Sequence, residues 1–338
     1  MTLLNCAKKN KGAGYEKCAP CDVSRAVGCA LERRGTLREA GAYRLINLHG
    51  DKIADAAVDV YGEFAAISWY SKNARELKTA LVERLLQVDR IRGVYDIDRF
   101  NSSQKAQNYR HAGGKISPDF FEIEEGGLRF LCSFNHGQNA GFFIDNRGNR
   151  EFIARFSKGR AVLNLFSYTG ALSVVAAGSG ASSVITVDLS RSYNEWAREN
   201  LKLNGFMEAA GKVLTFDAMD YMRFCLKKGY KFDFIILDPP SFALSLDKKP
   251  FSTLKNYKEL LLAAYAVLSP GGMIAAICNT AGYKRSDFKE MIADTFNGLS
   301  TSGFKIIDGP AMPPDFNRRP NDRDLDYLKN FYVRFVGK

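Results

Sequence analysis

The chain has 338 residues, a formal net charge of +11, and 46% hydrophobic against 25% charged residues. That length suggests two domains with sizeable cores, and the ordinary composition excludes a largely disordered chain. No apolar stretch reaches membrane-spanning length and the first residues lack the core of a signal peptide, so a cytoplasmic protein is expected, with a polyanionic partner favoured by the charge.

In chain order, residues 1–40 read as a basic, partly helical extension. Cys6, Cys18, Cys21 and Cys29 crowd it, and Cys18-Ala19-Pro20-Cys21 is a CxxC. The outer spacings fit no standard zinc or iron–sulfur pattern, and 23–39 reads as a helix through Cys29, so plain thiols are expected rather than a metal site. Residues 41–137 read as a small α+β domain. Runs 56–60 and 64–69 alternate around Tyr61-Gly62 as a hairpin, and 74–86 is an amphipathic helix with Leu77, Leu81 and Leu85 on one face. Further strands are expected at 93–97, 120–124 and 128–132, the last two joined at Gly126-Gly127. Between them, 99–118 reads as a loop holding Arg99, Lys105, Arg110 and Lys115, interleaved with Phe100 and Tyr109 and without an acid. Cations neutralise phosphates and aromatic rings stack on unpaired bases, which makes it an RNA candidate; a merely polar loop has the same composition.

Residues 138–338 read as a doubly wound α/β domain. Strands are expected at 162–166, 184–187, 213–216, 234–237 and 273–278, helices at 171–177, 195–203 and 258–268, and closing antiparallel strands within 306–336. Ligands of open parallel sheets lie outside the carboxyl ends of the strands, so Ser167-Tyr168-Thr169-Gly170, Asp188, Asp217 and Asp238-Pro239-Pro240 converge on one crevice. The turn lacks the glycines that let a backbone approach a pyrophosphate, so the pocket suits an adenosine without phosphates. Asp145, Asp188, Asp217 and Asp238 make it acidic within a basic protein. That favours a cationic ligand, and S-adenosylmethionine carries both a sulfonium and an ammonium.

On these residues the chain resembles the class I S-adenosylmethionine-dependent methyltransferases, and is most similar to bacterial enzymes that methylate large-subunit ribosomal RNA at cytosine C5 or guanine N7. The resemblance rests on Ala42-Tyr43-Arg44-Leu45-Ile46, Gly141-Phe142-Phe143-Ile144-Asp145-Asn146-Arg147, residues 163–170, Val187-Asp188-Leu189-Ser190-Arg191, Glu195-Trp196-Ala197, Leu203-Asn204-Gly205 and Asp238-Pro239-Pro240. It implies a Rossmann-like methyltransferase domain preceded by an accessory domain that helps hold ribosomal RNA. It also implies cofactor contacts from Phe142, Asp145, Arg147, Phe166, Ser167, Tyr168, Thr169, Gly170, Asp188, Leu189, Asp217, Ala218 and Asp238. Lys105, Tyr109, Arg110, Lys115, Pro239 and Pro240 would serve the substrate, and Asp238, Asn279 and Cys278 are the catalytic candidates.

Methylating cytosine C5 needs a thiolate that adds to C6 and a base that later removes the C5 proton. The cytosine enzymes place that cysteine after the Gly-Gly strand, and a gap-free count from Gly271-Gly272 puts its position at Asn279, one residue past Cys278. The guanine N7 enzymes carry asparagine there, which favours N7 and leaves C5 open. Where the cytosine enzymes have Asp-His-Pro, this chain has Asp315-Phe316-Asn317, ahead of a polar loop at 317–323. A methyltransferase acting on a small molecule or a protein, and a non-catalytic RNA-binding relative, remain alternative readings.

Overall fold

A computed structural model describes residues 20–100, 108–137, 139–207, 211–240, 242–244, 250–280, 283–299, 303–317 and 327–336. Lys105, Cys6, Cys18 and 318–323 lie outside these residues.

The N-terminal half is built on strands β1 (Ala42–Asn47), β2 (Ala56–Tyr61), β3 (Phe64–Trp69), β4 (Gly93–Asp98) and β5 (Arg110–Gly114), which lie in that order in one sheet. All neighbours are antiparallel except β3 and β4. A parallel pair needs a crossover, which the helices α2 (Lys72–Arg75) and α3 (Lys78–Leu86) supply. The helix expected over 74–86 is therefore two pieces, interrupted at Leu77, whose ψ of 0° ends the first turn; Leu81 and Leu85 are buried as expected. The hairpin turn falls on Gly62-Glu63, one residue later than expected, because Gly62 takes the positive φ of 58° that the turn requires. Helix α1 (Pro20–Arg34) stops at Gly35 and continues only as a 3₁₀ turn, Gly35–Glu39. Its Val23, Val27 and Ala30 pack against the same core as Leu81 and Leu85.

Strands β6 (Phe121–Glu125) and β7 (Leu128–Cys132) form a separate ribbon. It leans on α6 (Arg191–Leu203): the Leu131 amide donates to Asn200 Oδ1 at 2.7 Å, and Trp196 Nε1 donates to the Leu131 carbonyl at 3.1 Å.

The C-terminal half is a seven-stranded sheet. Strands β8 (Ala161–Leu165), β9 (Ser183–Asp188), β10 (Gly211–Thr215), β11 (Phe232–Leu237) and β14 (Leu268–Cys278) are parallel, and β15 (Phe304–Asp308) and β16 (Lys329–Phe335) close it antiparallel, while β12 (Phe242–Leu244) and β13 (Pro250–Ser252) pair apart from it. The order is β10-β9-β8-β11-β14-β16-β15, the doubly wound Rossmann-like arrangement expected. One face is covered by α4 (Arg147–Ser157), α5 (Ala171–Gly178) and α6; the other by α7 (Ala218–Lys228), α8 (Thr253–Ala266) and α9 (Arg285–Asn297). Burial on both faces is why these strands read as continuous apolar runs. Helix α6 begins at Arg191 rather than 195, because Ser190 caps it by accepting from the Tyr193 amide at 3.3 Å, and it ends at Asn204 before Gly205, which takes a φ of 74°.

Candidate active site

The strand order reverses between β8 and β11, and a cleft of about 1000 Å³ opens at the carboxyl ends there. The turn after β8 forms its floor. Phe166, Tyr168 and Gly170 all have positive φ, at 58°, 52° and 77°. For the two non-glycine residues this conformation costs on the order of 1–2 kcal/mol each, so the surroundings must hold it. They do: the Tyr168 amide donates to Asp188 Oδ2 at 2.9 Å, Thr169 Oγ1 donates to the Gly141 carbonyl at 2.6 Å, and Asn200 Nδ2 donates to the Thr169 carbonyl at 2.8 Å. Gly170 also admits helix α6, since a β-carbon there would lie 2.8 Å from that of Ala197.

The four acids expected from the sequence all face the cleft. Asp188 accepts from Tyr168 and, through Oδ1, from the Ser190 amide at 2.8 Å; burial still lifts its pKa, with the backbone donors pulling it down. Asp217 caps α7, its Oδ1 accepting from the amides of Met219 and Asp220 at 2.9 and 3.2 Å. Asp145 sits in the 3₁₀ turn Ile144–Asn146, receives the Tyr327 hydroxyl at 2.6 Å, and has a pKa raised by burial. Asp238, at the exit of β11, accepts from Asn146 Nδ2 at 3.1 Å. Burial, opposed by that bond and reinforced by nearby Asp145, pushes its carboxyl up to about 7.

Of the residues singled out from sequence, Asp145, Phe166, Ser167, Tyr168, Thr169, Asp188, Leu189, Asp217, Ala218, Asp238, Pro240 and Asn279 line the cleft. Phe142 does not: it is buried under the Arg150 guanidinium, 4.1 Å from the ring, and Phe143 faces the cleft in its place. Arg147 is likewise turned away, paired with Asp315 at 2.8 Å. Gly170 lies behind the lining and Pro239 is buried behind Pro240. Cys278 is fully buried in the core cluster that includes Tyr257 and Phe288, while the next residue, Asn279, is exposed to the cleft. Tyr327, Tyr193, Phe216, Asn256 and Glu259 also line it and were not foreseen.

The segment 99–118 departs from the plain loop expected. Arg110–Gly114 is the edge strand β5, and Arg110 is committed to Asp96 and Asp98 of β4 at 3.1 and 2.9 Å. Tyr109 packs on Phe134 with ring centres 5.0 Å apart, and burial pushes its hydroxyl pKa up to about 12. Lys115 pairs with Glu63 at 2.6 Å, but both side chains are exposed, so this bond competes weakly with a phosphate. Among the described residues no group of three or more potential ligands could hold a metal, and no helix is long and apolar enough to cross a membrane.

A family model of S-adenosylmethionine-dependent methyltransferases matches residues 107–321. YwbD of Bacillus subtilis (strain 168), provisionally named a ribosomal RNA large subunit methyltransferase, is 33% identical over 306 residues, which cover 89% of this chain and 77% of that protein. The ribosomal RNA large subunit methyltransferase I of Aeromonas salmonicida (strain A449) is 29% identical over 255 residues, 75% of this chain and 64% of its own length, so this chain spans just under two thirds of that relative. Among solved structures, SMU.776, provisionally described as a methyltransferase and complexed with SAH, superposes with a TM-score of 0.85 at 30% identity, covering 96% of this chain and 83% of that one.

Proposed function

Because this chain belongs to the S-adenosylmethionine-dependent methyltransferase family, we propose that its cleft directs the cofactor's methyl group to guanine N7 of large-subunit ribosomal RNA. The residues present fit the cofactor. Ser167 Oγ is buried in the cleft wall with no protein partner among the described residues, the acids suit a cation, and the Phe166–Gly170 turn is rigidly held. In this reading Asp188 takes the ribose hydroxyls, Asp217 and Ala218 the adenine edge, and the turn with Asp145 the methionine end. S-adenosylmethionine supplies an electrophilic methyl group on a sulfonium. Guanine N7 has its own lone pair and no proton to lose, so the chain need provide only alignment and electrostatics.

The observation that carries the choice of atom is the contrast between Cys278 and Asn279. A C5 reaction needs a thiolate at the base, yet Cys278 is sealed in the core and no described cysteine lines the cleft. Asn279 and Pro240 border the cleft beside Asp238, where an amide can hydrogen-bond a guanine edge. The +11 charge, exposed Lys115 and the names of the relatives support an RNA substrate. Cys278→Ala should keep most of the activity, whereas Asn279→Ala should lose on the order of 100-fold by misplacing the base. Inactive but folded Cys278→Ala, or a covalent adduct with RNA containing 5-fluorocytosine, would turn the assignment to cytosine C5.

A further inference from the structure

Behind Asp238 lies a line of buried polar groups that the methyl-transfer reading does not use. Tyr332 of β16 donates its hydroxyl to Asn149 Oδ1 at 3.1 Å, Asn149 Nδ2 donates to Asn146 Oδ1 at 2.7 Å, and Asn146 Nδ2 donates to Asp238 Oδ2 at 3.1 Å. Tyr332 is 0% exposed, Asn149 1% and Asn146 8%, so no solvent competes for these bonds. We propose that Tyr332, Asn149 and Asn146 form a relay with one fixed polarity, which holds Asp238 as a hydrogen-bond acceptor at the cleft floor, Tyr332 and Asn149 being positioning residues. The inference rests on the reading that Asp238 faces the cofactor and target.

The polarity follows from donor and acceptor counting. A carboxylate only accepts, so Asn146 must present its NH₂ to Asp238 and its oxygen to Asn149. Asn149 must then present its NH₂ to Asn146 and its oxygen to β16, where it accepts from the Tyr332 hydroxyl. Remove that hydroxyl and both amides can turn over together. Asn146 would then offer its oxygen to Asp238, which favours the protonated acid. Buried polar networks are costly unless every member is satisfied, and this one spans a strand, a helix, a 3₁₀ turn and a strand exit. Other groups that bear on Asp238 are Asp145 from the same turn, Tyr257 from α8 and Tyr332 itself, with Glu259 on the rim of the cleft. The phenols are held neutral by burial, and the nearby charge of Asp145 opposes ionisation. The carboxyl's elevation to about 7 means that the relay acts where Asp238 titrates.

Calorimetric titration with S-adenosylmethionine from pH 6 to 8.5 tests this on the full chain. Wild-type affinity should rise with pH and level off above about 7, and Asp238→Asn should flatten that rise. Tyr332→Phe keeps its ring packing on Phe152, 4.9 Å away, and loses only the hydroxyl. It should move the profile up by about half to one pH unit, binding several-fold more weakly at pH 6.5 and converging on wild type at pH 8.5. Asn149→Ala breaks the middle link and should shift it the same way, which keeps the test open if one variant does not fold. Equal weakening at every pH in either folded variant, or no change, would overturn the relay. A pH rise that persists in Asp238→Asn would instead remove Asp238 from the cofactor site, and the relay's role with it.

Discussion

Replacing Asp188 by alanine tests the cofactor site at its most constrained acid. The carboxylate stands at the end of β9, accepts the Tyr168 and Ser190 amides, and faces the cleft. A hydrogen bond to a charged group is worth about 1.5–3 kcal/mol, and each 1.4 kcal/mol is a factor of about ten in affinity. Asp188→Ala should therefore weaken S-adenosylmethionine binding about tenfold to a hundredfold or more. The ribose is common to cofactor and product, so S-adenosylhomocysteine should weaken by the same factor. Two backbone amides lose their acceptor, which should cost roughly 1–3 kcal/mol of stability. That leaves the protein folded, because Val184 and Val187 of β9 remain buried. Calorimetry on both ligands, with circular dichroism as the folding control, reads the result. Unchanged affinity in a folded variant would remove Asp188 from the site; loss for one ligand alone would contradict its ribose role.

The raised carboxyl of Asp238 has a consequence for stability. Its folded pKa of about 7 exceeds the ordinary 3.8, so its contribution is full below about 3.8 and is lost as pH rises through about 7. Asp238→Asn should accordingly gain stability relative to wild type in urea unfolding between pH 5 and 8, and a pH-independent difference would contradict this. Asp315 is fully buried, accepts Arg147 and the Arg44 amide, and passes its carbonyl to Arg34, tying the tail to both halves of the chain. Asp315→Ala should cost about 3 kcal/mol by leaving Arg147 with only the more distant carboxylate of Glu125, 3.5 Å away, and the Arg44 amide without its acceptor, read as a lower unfolding midpoint; Lys115→Gln should leave the fold intact and lower the salt slope of RNA binding by about one phosphate contact.

The catalytic half was legible where physics makes sequence local. Strands β8, β9 and β11 are buried on both faces, so their apolar runs and the acids at their exits could be read directly. The choice between Phe142 and Phe143 could not, because this segment enters a 3₁₀ turn and has no period to fix its facing. Arg147 looked available for a ligand, but its partner Asp315 lies 168 residues away. The ion pairs of Arg110 are hidden for a similar reason: its segment contains no acid, yet β4 brings Asp96 and Asp98 beside it. Tyr327 reaches Asp145 across 182 residues, a contact that only the closing strands create. Asn146 stood inside a motif already singled out, and its amide could have drawn attention as the neutral residue next to Asp145.

The central claim is most directly tested by identifying the product nucleoside. Large-subunit ribosomal RNA from cells lacking this protein would be incubated with the purified protein and S-adenosylmethionine bearing a labelled methyl group, then digested to nucleosides for mass spectrometry. The account expects the label in 7-methylguanosine, with no transfer by Asn279→Ala at comparable rate. Label in 5-methylcytidine, or RNA that stays unlabelled while protein or small molecules in an extract take up the methyl group, would contradict it.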